Sequence, residues 1–175
     1  MPPIKHFIAV LYDRTAVHFE PEYSNSGLSY GLNRALEKVK TPYVMRMDDD
    51  ELLTLKTCLG DQVLFLEHHP EIDLVAFCTL TAIRCKNPDE EVSRFTSFSM
   101  QGAPKPLRIP HMTQIDGNHF VMGKVPNLYV ARTEKIRSIG WDEKIRMMDH
   151  QDFFLESSWE SCVCNRAWNS SISLS

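Results

Sequence analysis

The chain has 175 residues, a formal net charge of -4 and an isoelectric point near 6.0. This length favours one domain with a proper core over two full domains, and the acidic balance argues against a general nucleic-acid binder, which needs a basic face. No stretch reaches the roughly 18 to 20 apolar residues that span a bilayer, and the N-terminus lacks a signal-peptide pattern. We therefore expect a soluble chain without a membrane segment. The five cysteines match no metal-binding or CxxC redox spacing and leave the compartment open.

Predicted strands and helices alternate in the first half of the chain. Apolar runs predict strands over 4–12, 43–47 and 72–80. A polar, glycine-containing loop opens the segment 24–41 and runs into a helix that must stop before Pro42, and 55–68 has the pattern of a second helix. This order predicts an α/β crossover in which the loop and the end of the following strand meet the same ligand.

The second half is less regular. The segment 86–110 contains four prolines and is predicted to be an irregular excursion with a short strand at 95–98. Such an insertion either lines a substrate cleft or forms a surface loop. Two short strands joined by a Gly-Lys turn are predicted within 118–132, followed by a helix with Thr133 as its N-cap and Gly140 as its stop.

Three consecutive aspartates, Asp48, Asp49 and Asp50, follow the strand at 43–47, whose apolar run is interrupted at Arg46. They are expected at the carboxyl edge of the sheet, where open α/β sheets bind ligands. Adjacent carboxylates repel one another unless a cation neutralises them, and their hard oxygens suit Mg²⁺ or Mn²⁺, which in turn suit a diphosphate. Asp48 and Asp50 are therefore the predicted metal ligands. The alternative is an acidic turn or a helix cap, because 52–55 looks like the beginning of a helix.

Three stretches, in this order along the chain, resemble one family: 25–35, 41–50 and 129–154. Together they resemble inverting glycosyltransferases of the family 2 type, and within that group the catalytic domain of β-1,4-N-acetylgalactosaminyltransferases of the ganglioside GM2 synthase type. The likeness spans about 17–156. It implies an α/β GT-A fold, a Rossmann-like mixed sheet flanked by helices.

The resemblance also implies a nucleotide-sugar donor, typically a UDP-sugar, and a divalent ion held by a DxD motif. Asp48 and Asp50 would then coordinate Mn²⁺ or Mg²⁺ and the diphosphate of the donor. The residues that the resemblance places around the nucleotide are Asp49 near the ribose, Gly27 in the pocket wall and, nearest the phosphates, Asn33 and Arg34.

Inversion by a single displacement needs a carboxylate that takes the proton of the acceptor hydroxyl. The resemblance offers Asp149 and Asp152, of which Asp152 is favoured, while His150 would orient the base or contact the acceptor. The alternative is that Asp149 caps a helix, His150 is an ordinary polar residue and the two phenylalanines that follow Asp152 belong to the core. Trp141 would either stack on a sugar ring or pack in a turn.

The resemblance predicts a partial catalytic domain over 1–156 and an irregular or altered tail over 157–175, with the chain incomplete at both ends. The acceptor would be a hydroxyl of a glycan, lipid or protein. A Golgi-lumenal compartment would follow from a membrane-anchored eukaryotic parent and a cytoplasmic one from a bacterial parent.

Two alternatives to a glycosyltransferase stay open. One is an inactive remnant that serves as a binding or assembly module. The other is a different Mg²⁺-dependent phosphoryl enzyme, although the sequence lacks a Gly-x-x-x-x-Gly-Lys-Ser/Thr loop.

Overall fold

The structure is a computed structural model, and it describes residues 27–48, 51–53, 57–77, 79–83, 92–94, 109–145, 152–154, 162–165 and 171–174. The helices in these ranges are α1 (Leu28–Lys38), α2 (Leu59–His68) and α3 (Thr133–Ile139), and residues 152–154 are helical too. The strands are β1 (Tyr43–Arg46), β2 (Glu51–Leu53), β3 (Leu74–Phe77), β4 (Thr79–Ile83), β5 (Val92–Arg94), β6 (His119–Met122), β7 (Tyr129–Arg132), β8 (Cys162–Asn165) and β9 (Ser171–Leu174). None of the helices within these ranges is long and apolar enough to cross a lipid bilayer.

The strands form two mixed sheets. The larger sheet has five strands in the order β1-β7-β3-β8-β6, and the smaller has four in the order β2-β9-β4-β5. In the larger sheet β3 and β8 are parallel, and the other neighbouring strands are antiparallel. Tyr43 of β1 lies opposite Arg132 of β7, and Arg46 lies opposite Tyr129. The carboxyl end of β1 therefore meets the amino end of β7 at one edge of the sheet.

The two faces of the larger sheet carry separate apolar clusters. Strand side chains alternate between faces, so Tyr129 and Ala131 belong to one cluster and Val130 to the other. Leu36 of α1, Ile136 of α3 and the phenylalanines at 153 and 154 cover the first face, whereas α2 covers the second. Each fully buried apolar side chain of this kind contributes about 1.5–3 kcal/mol. The sheet is thus enclosed between helices. An apolar cluster packs on each face, including at the carboxyl edge of the sheet, the edge at which β1 ends.

Several elements agree with the sequence predictions. α1 ends before Pro42 as expected, β1 is the predicted strand, and Gly140 ends α3 with a φ of 65°. α2 begins at Leu59, later than predicted. The predicted strand over 72–80 is two strands, β3 and β4, which belong to different sheets. The strands predicted over 4–12 and 95–98 lie outside the described residues.

Two predicted details are wrong. Thr133 is the first residue of α3, and Arg132 is its N-cap. The reason is that β7 runs into α3 without a loop, and the backbone N–H of Thr133 donates to the carbonyl of Pro42 at 2.9 Å. The alternative of a helix beginning at 52–55 is also wrong, because Glu51–Leu53 forms β2 and pairs with β9.

The segment 157–175, for which the sequence predicts no element, holds β8 and β9. β8 lies between β3 and β6, and its residues Cys162 and Val163 are buried. A four-residue strand that is enclosed by neighbours on both sides carries no alternation by which a sequence could reveal it. The boundary at 156 between catalytic domain and tail stays a prediction.

Candidate functional site

Asp48 is the member of the aspartate motif that the structure describes, and it follows β1 at the carboxyl edge of the larger sheet. Its two carboxylate oxygens have different neighbours. Oδ2 accepts a hydrogen bond from Asn127 Nδ2 at 2.7 Å, and Oδ1 lies 3.8 Å from Arg46 Nη2. These two contacts orient the carboxylate of Asp48. Because 41% of its side chain is exposed, the carboxylate is also accessible to a ligand. Asp49 and Asp50 lie outside the described residues, and their roles stay predictions.

Asn127 reaches Asp48 through the register of two strands. The antiparallel pairs of β1 and β7 end with Arg46 opposite Tyr129. Continuing this register two residues past the last pair brings Asn127 opposite Asp48. The sequence offered no signal for this residue, since Asn127 sits in a short connection between β6 and β7 and matches none of the motifs.

Arg46 lies beneath the exposed carboxylate of Asp48. Its side chain is 7% exposed, and its guanidinium carbon lies 5.7 Å from the ring centre of Trp141. A buried cation needs compensation by charge or hydrogen bonds, and Asp48 and the aromatic ring both contribute to it. Arg46, which interrupts the apolar pattern of β1, thus supplies positive charge at the site.

Three aromatic rings form a stack below this edge. The ring centres of Trp141 and Phe153 are 4.8 Å apart with nearly parallel planes, and those of Phe153 and Tyr129 are 6.4 Å apart. Phe154 meets Phe153 edge to face at 5.2 Å. Burial raises the pKa of Tyr129 well above its ordinary value, while the charge of Arg46 opposes this rise. The stack packs β7, the turn after α3 and the helical residues 152–154 against one another.

Trp141 is 7% exposed and packs against Phe153 and Arg46. Of the two roles considered for it, the structure favours packing over stacking on a sugar. Its indole Nε1 is buried, and among the residues that the structure describes it has no hydrogen-bond partner.

Asn33, predicted to lie near the phosphates, binds the backbone of Trp141. Its Nδ2 donates to the carbonyl of Trp141 at 2.8 Å, and the Trp141 N–H donates to its Oδ1 at 3.0 Å. Nδ2 also lies 3.0 Å from Glu143 Oε1. In this conformation Asn33 joins α1 to the turn after α3, and a nucleotide contact by Asn33 stays a prediction.

Arg34 lies within α1, and Gly27 immediately precedes it. Arg34 is half-exposed, with its guanidinium 2.9 Å from Glu37 Oε1, 3.9 Å from Glu143 Oε1 and 5.3 Å from the ring centre of Tyr30. Gly27 precedes α1 with a φ of 85°, which a residue with a Cβ adopts only under strain. Because α1 returns to β1 through the short connection 39–42, its amino end lies toward the edge that carries Asp48. The predicted nucleotide contacts of both residues stay predictions.

Asp152 is the first of the described helical residues 152–154 and is half-buried. Its neighbours Phe153 and Phe154 are 2% and 1% exposed, so the phenylalanine pair belongs to the core, as one alternative held. Asp149 and His150 lie outside the described residues. The choice of base between Asp149 and Asp152 therefore stays a prediction, as does the role of His150.

The donor groups for a divalent ion are few in the part of the chain that the structure describes. No group of three or more histidine, cysteine, aspartate or glutamate side chains is placed there to hold a metal ion. Asp48 offers one accessible hard-oxygen ligand at the sheet edge, which is chemically suited to Mg²⁺ or Mn²⁺. Asp50 would have to supply a second.

The fold resembles solved structures of S. aureus TarS. It resembles S. aureus TarS 1-349 in complex with UDP with a TM-score of 0.56 at 16% identity, covering 86% of this chain and 40% of that one. It also resembles the same fragment in complex with UDP-GlcNAc, with a TM-score of 0.55 at 15% identity, covering 86% and 39% of the two chains. The chain therefore has the GT-A fold, as predicted.

Sequence comparison gives the family. The model for "Glycosyl transferase family 2" matches residues 9–133. β-1,4 N-acetylgalactosaminyltransferase 1 of Rattus norvegicus is 32% identical over 139 residues, and that of Homo sapiens is 33% identical over 141 residues; each alignment covers 72% of this chain and 24% of the relative. The chain belongs to glycosyl transferase family 2. It spans about a quarter of the length of these curated relatives.

Proposed function

We propose that the chain carries the donor-binding and catalytic part of a metal-dependent, inverting glycosyltransferase. The enzyme would move a sugar from a UDP-sugar to a hydroxyl acceptor on a glycan, lipid or protein. The observation that carries this proposal is the oriented, accessible carboxylate of Asp48 at the carboxyl edge of a GT-A sheet. The names of the mammalian relatives support sugar transfer, and the TarS complexes with UDP and UDP-GlcNAc support a uridine nucleotide.

The metal would be held by Asp48 and Asp50. A divalent ion there would stabilise the negative charge that develops on the leaving diphosphate. Asp48 contributes one oxygen ligand, and its contact with Arg46 reduces the repulsion that three adjacent aspartates would otherwise feel.

The catalytic base would be Asp152, with Asp149 as the second candidate. A base must accept the proton of the acceptor hydroxyl as the anomeric carbon is attacked, so its position relative to the donor has to be fixed. The aromatic stack supports such a position for Asp152. Its neighbour Phe153 packs on Trp141, Trp141 packs near Arg46, and Arg46 contacts Asp48.

Isothermal titration of UDP into the 175-residue chain, with and without Mn²⁺, tests the donor site. We expect metal-dependent binding that is lost in Asp48→Ala and Asp50→Ala. Asp61→Ala, which changes an exposed aspartate on α2, is the matched control and should bind like the parent chain. Binding that is independent of Mn²⁺, or unchanged in both motif variants, would contradict the metal assignment.

A further inference from the structure

We propose that Asn127 is a positioning residue that holds the carboxylate of Asp48 in the orientation needed at the donor site. This inference rests on the proposed function, in which Asp48 is a metal ligand. It assigns a role to a residue outside the aspartate motif and more than seventy positions away from it along the chain.

The backbone on both sides of Asn127 is firmly anchored. Val125, Pro126 and Leu128 are buried, and the carbonyl of Leu128 accepts the backbone N–H of Phe77 at 3.0 Å. Asn127 itself is half-buried. Its amide thus projects from a part of the backbone that cannot shift without disturbing the core, which is what a positioning group requires.

Arg46 and Asn127 contact the Asp48 carboxylate in different ways. Arg46 brings a positive charge near Oδ1 at 3.8 Å, which exceeds hydrogen-bond distance. Asn127 brings a neutral donor to Oδ2 at 2.7 Å, which is a short and directional contact. A neutral amide orients the carboxylate without cancelling its charge, and one N–H occupies one of about four acceptor positions on a carboxylate.

Groups that orient metal ligands in this way have measurable effects on metal binding. Loss of such a partner typically lowers metal affinity or activity about 10–100-fold. For Asn127 we expect the lower end of this range, because the Arg46 contact still restrains the same carboxylate. A residue that merely shaped the connection between β6 and β7 would instead change stability and leave metal affinity alone.

The test measures Mn²⁺ binding to the 175-residue chain by electron paramagnetic resonance and UDP binding by calorimetry, in Asn127→Ala and Asp48→Asn. We expect Asn127→Ala to weaken Mn²⁺ binding and Mn²⁺-dependent UDP binding about 10-fold. Asp48→Asn, which removes the charge of the ligand itself, should lose both. Asn118→Ala, an exposed asparagine before β6, should bind like the parent chain.

The outcomes separate the inference from the function on which it rests. Unchanged binding in Asp48→Asn would overturn the metal assignment, and the positioning role with it. Lost binding in Asp48→Asn together with unchanged binding in Asn127→Ala would overturn the positioning role alone. If Asn127→Ala does not fold, Asn127→Ser keeps a polar residue whose hydroxyl is too short to replace the amide, and the same weakening is expected.

Discussion

Asn33 and Trp141 are joined by two hydrogen bonds of opposite direction, from the Asn33 amide to the Trp141 carbonyl and from the Trp141 N–H to the Asn33 side-chain oxygen. This pair fixes the turn after α3 against α1. It thereby holds the indole of Trp141 over Arg46 and against Phe153. Asn33 of α1 thus contributes to the arrangement of the side chains that surround Asp48.

Asn33→Ala should lower the free energy of unfolding by about 1–3 kcal/mol, because two backbone groups of Trp141 lose their partner in a partly buried place. Urea unfolding measures this loss, with Asn118→Ala as the control for an exposed asparagine. The same residue is predicted to lie near the phosphates. A variant with unchanged stability and weakened UDP binding would contradict the structural role and favour the nucleotide contact.

Phe153→Leu should lower both stability and transfer. The change removes a ring between Trp141 and Tyr129 and should cost about 1–2 kcal/mol of unfolding free energy, less than truncation to alanine. We also expect slower sugar transfer, because the ring anchors the helical residue that precedes it, Asp152.

Phe65→Leu is the matched control for this variant. Phe65 is also buried, and its ring stacks on the ring of His119 with the ring centres 3.8 Å apart. It packs, however, on the opposite face of the sheet. We expect a similar loss of stability with normal transfer by the folded protein. An equal loss of transfer in both variants would show that the effect is one of general stability.

These predictions concern contacts that the sequence reveals to different degrees. The helical spacing of apolar residues in α1 and the apolar run of β1 were sufficient to place both elements, because each pattern lies within one local stretch of sequence. β8 was missed, since its burial comes from neighbours that are distant in sequence. Asn127 was missed for the same reason, because its place opposite Asp48 depends on a strand register that no local pattern encodes. The acidic residues at the end of β1 and the family resemblance both indicated the aspartate motif, but neither indicated the partners that orient it.

Acid should destabilise the chain partly through Asp116. Burial by itself raises the pKa of this carboxyl, but hydrogen bonds from the backbone N–H of Asn118 and from the ring and N–H of His119 together lower it below its ordinary value. A carboxyl whose pKa is lowered by folding stabilises the folded state above the pKa of the unfolded chain, about 4. This contribution is lost as the pH falls through the lower, folded pKa.

Asp116→Asn should therefore be less stable than the parent chain at pH 7 and should lose less stability between pH 5 and pH 3. Urea unfolding at several pH values measures both effects. A parent-like acid dependence in Asp116→Asn would contradict the pKa direction given above.

The assignment of the base predicts a difference between two neighbouring aspartates. Asp152→Asn should reduce the rate of sugar transfer about 100- to 10,000-fold, the usual contribution of a general base, and should leave UDP binding intact. Asp149→Asn should have a smaller effect. The transfer rates are measured at saturating donor. A larger loss in Asp149→Asn than in Asp152→Asn would identify Asp149 as the base.

The most direct test of the central claim is release of UDP from UDP-N-acetylgalactosamine and UDP-N-acetylglucosamine by the 175-residue chain in the presence of Mn²⁺. Water can replace the acceptor in this assay, so the natural acceptor need not be known. We predict Mn²⁺-dependent release that Asp50→Ala abolishes and Asp61→Ala leaves unchanged. Metal-dependent binding of UDP without release from either donor would contradict an enzymatic role and favour the alternative of an inactive binding module.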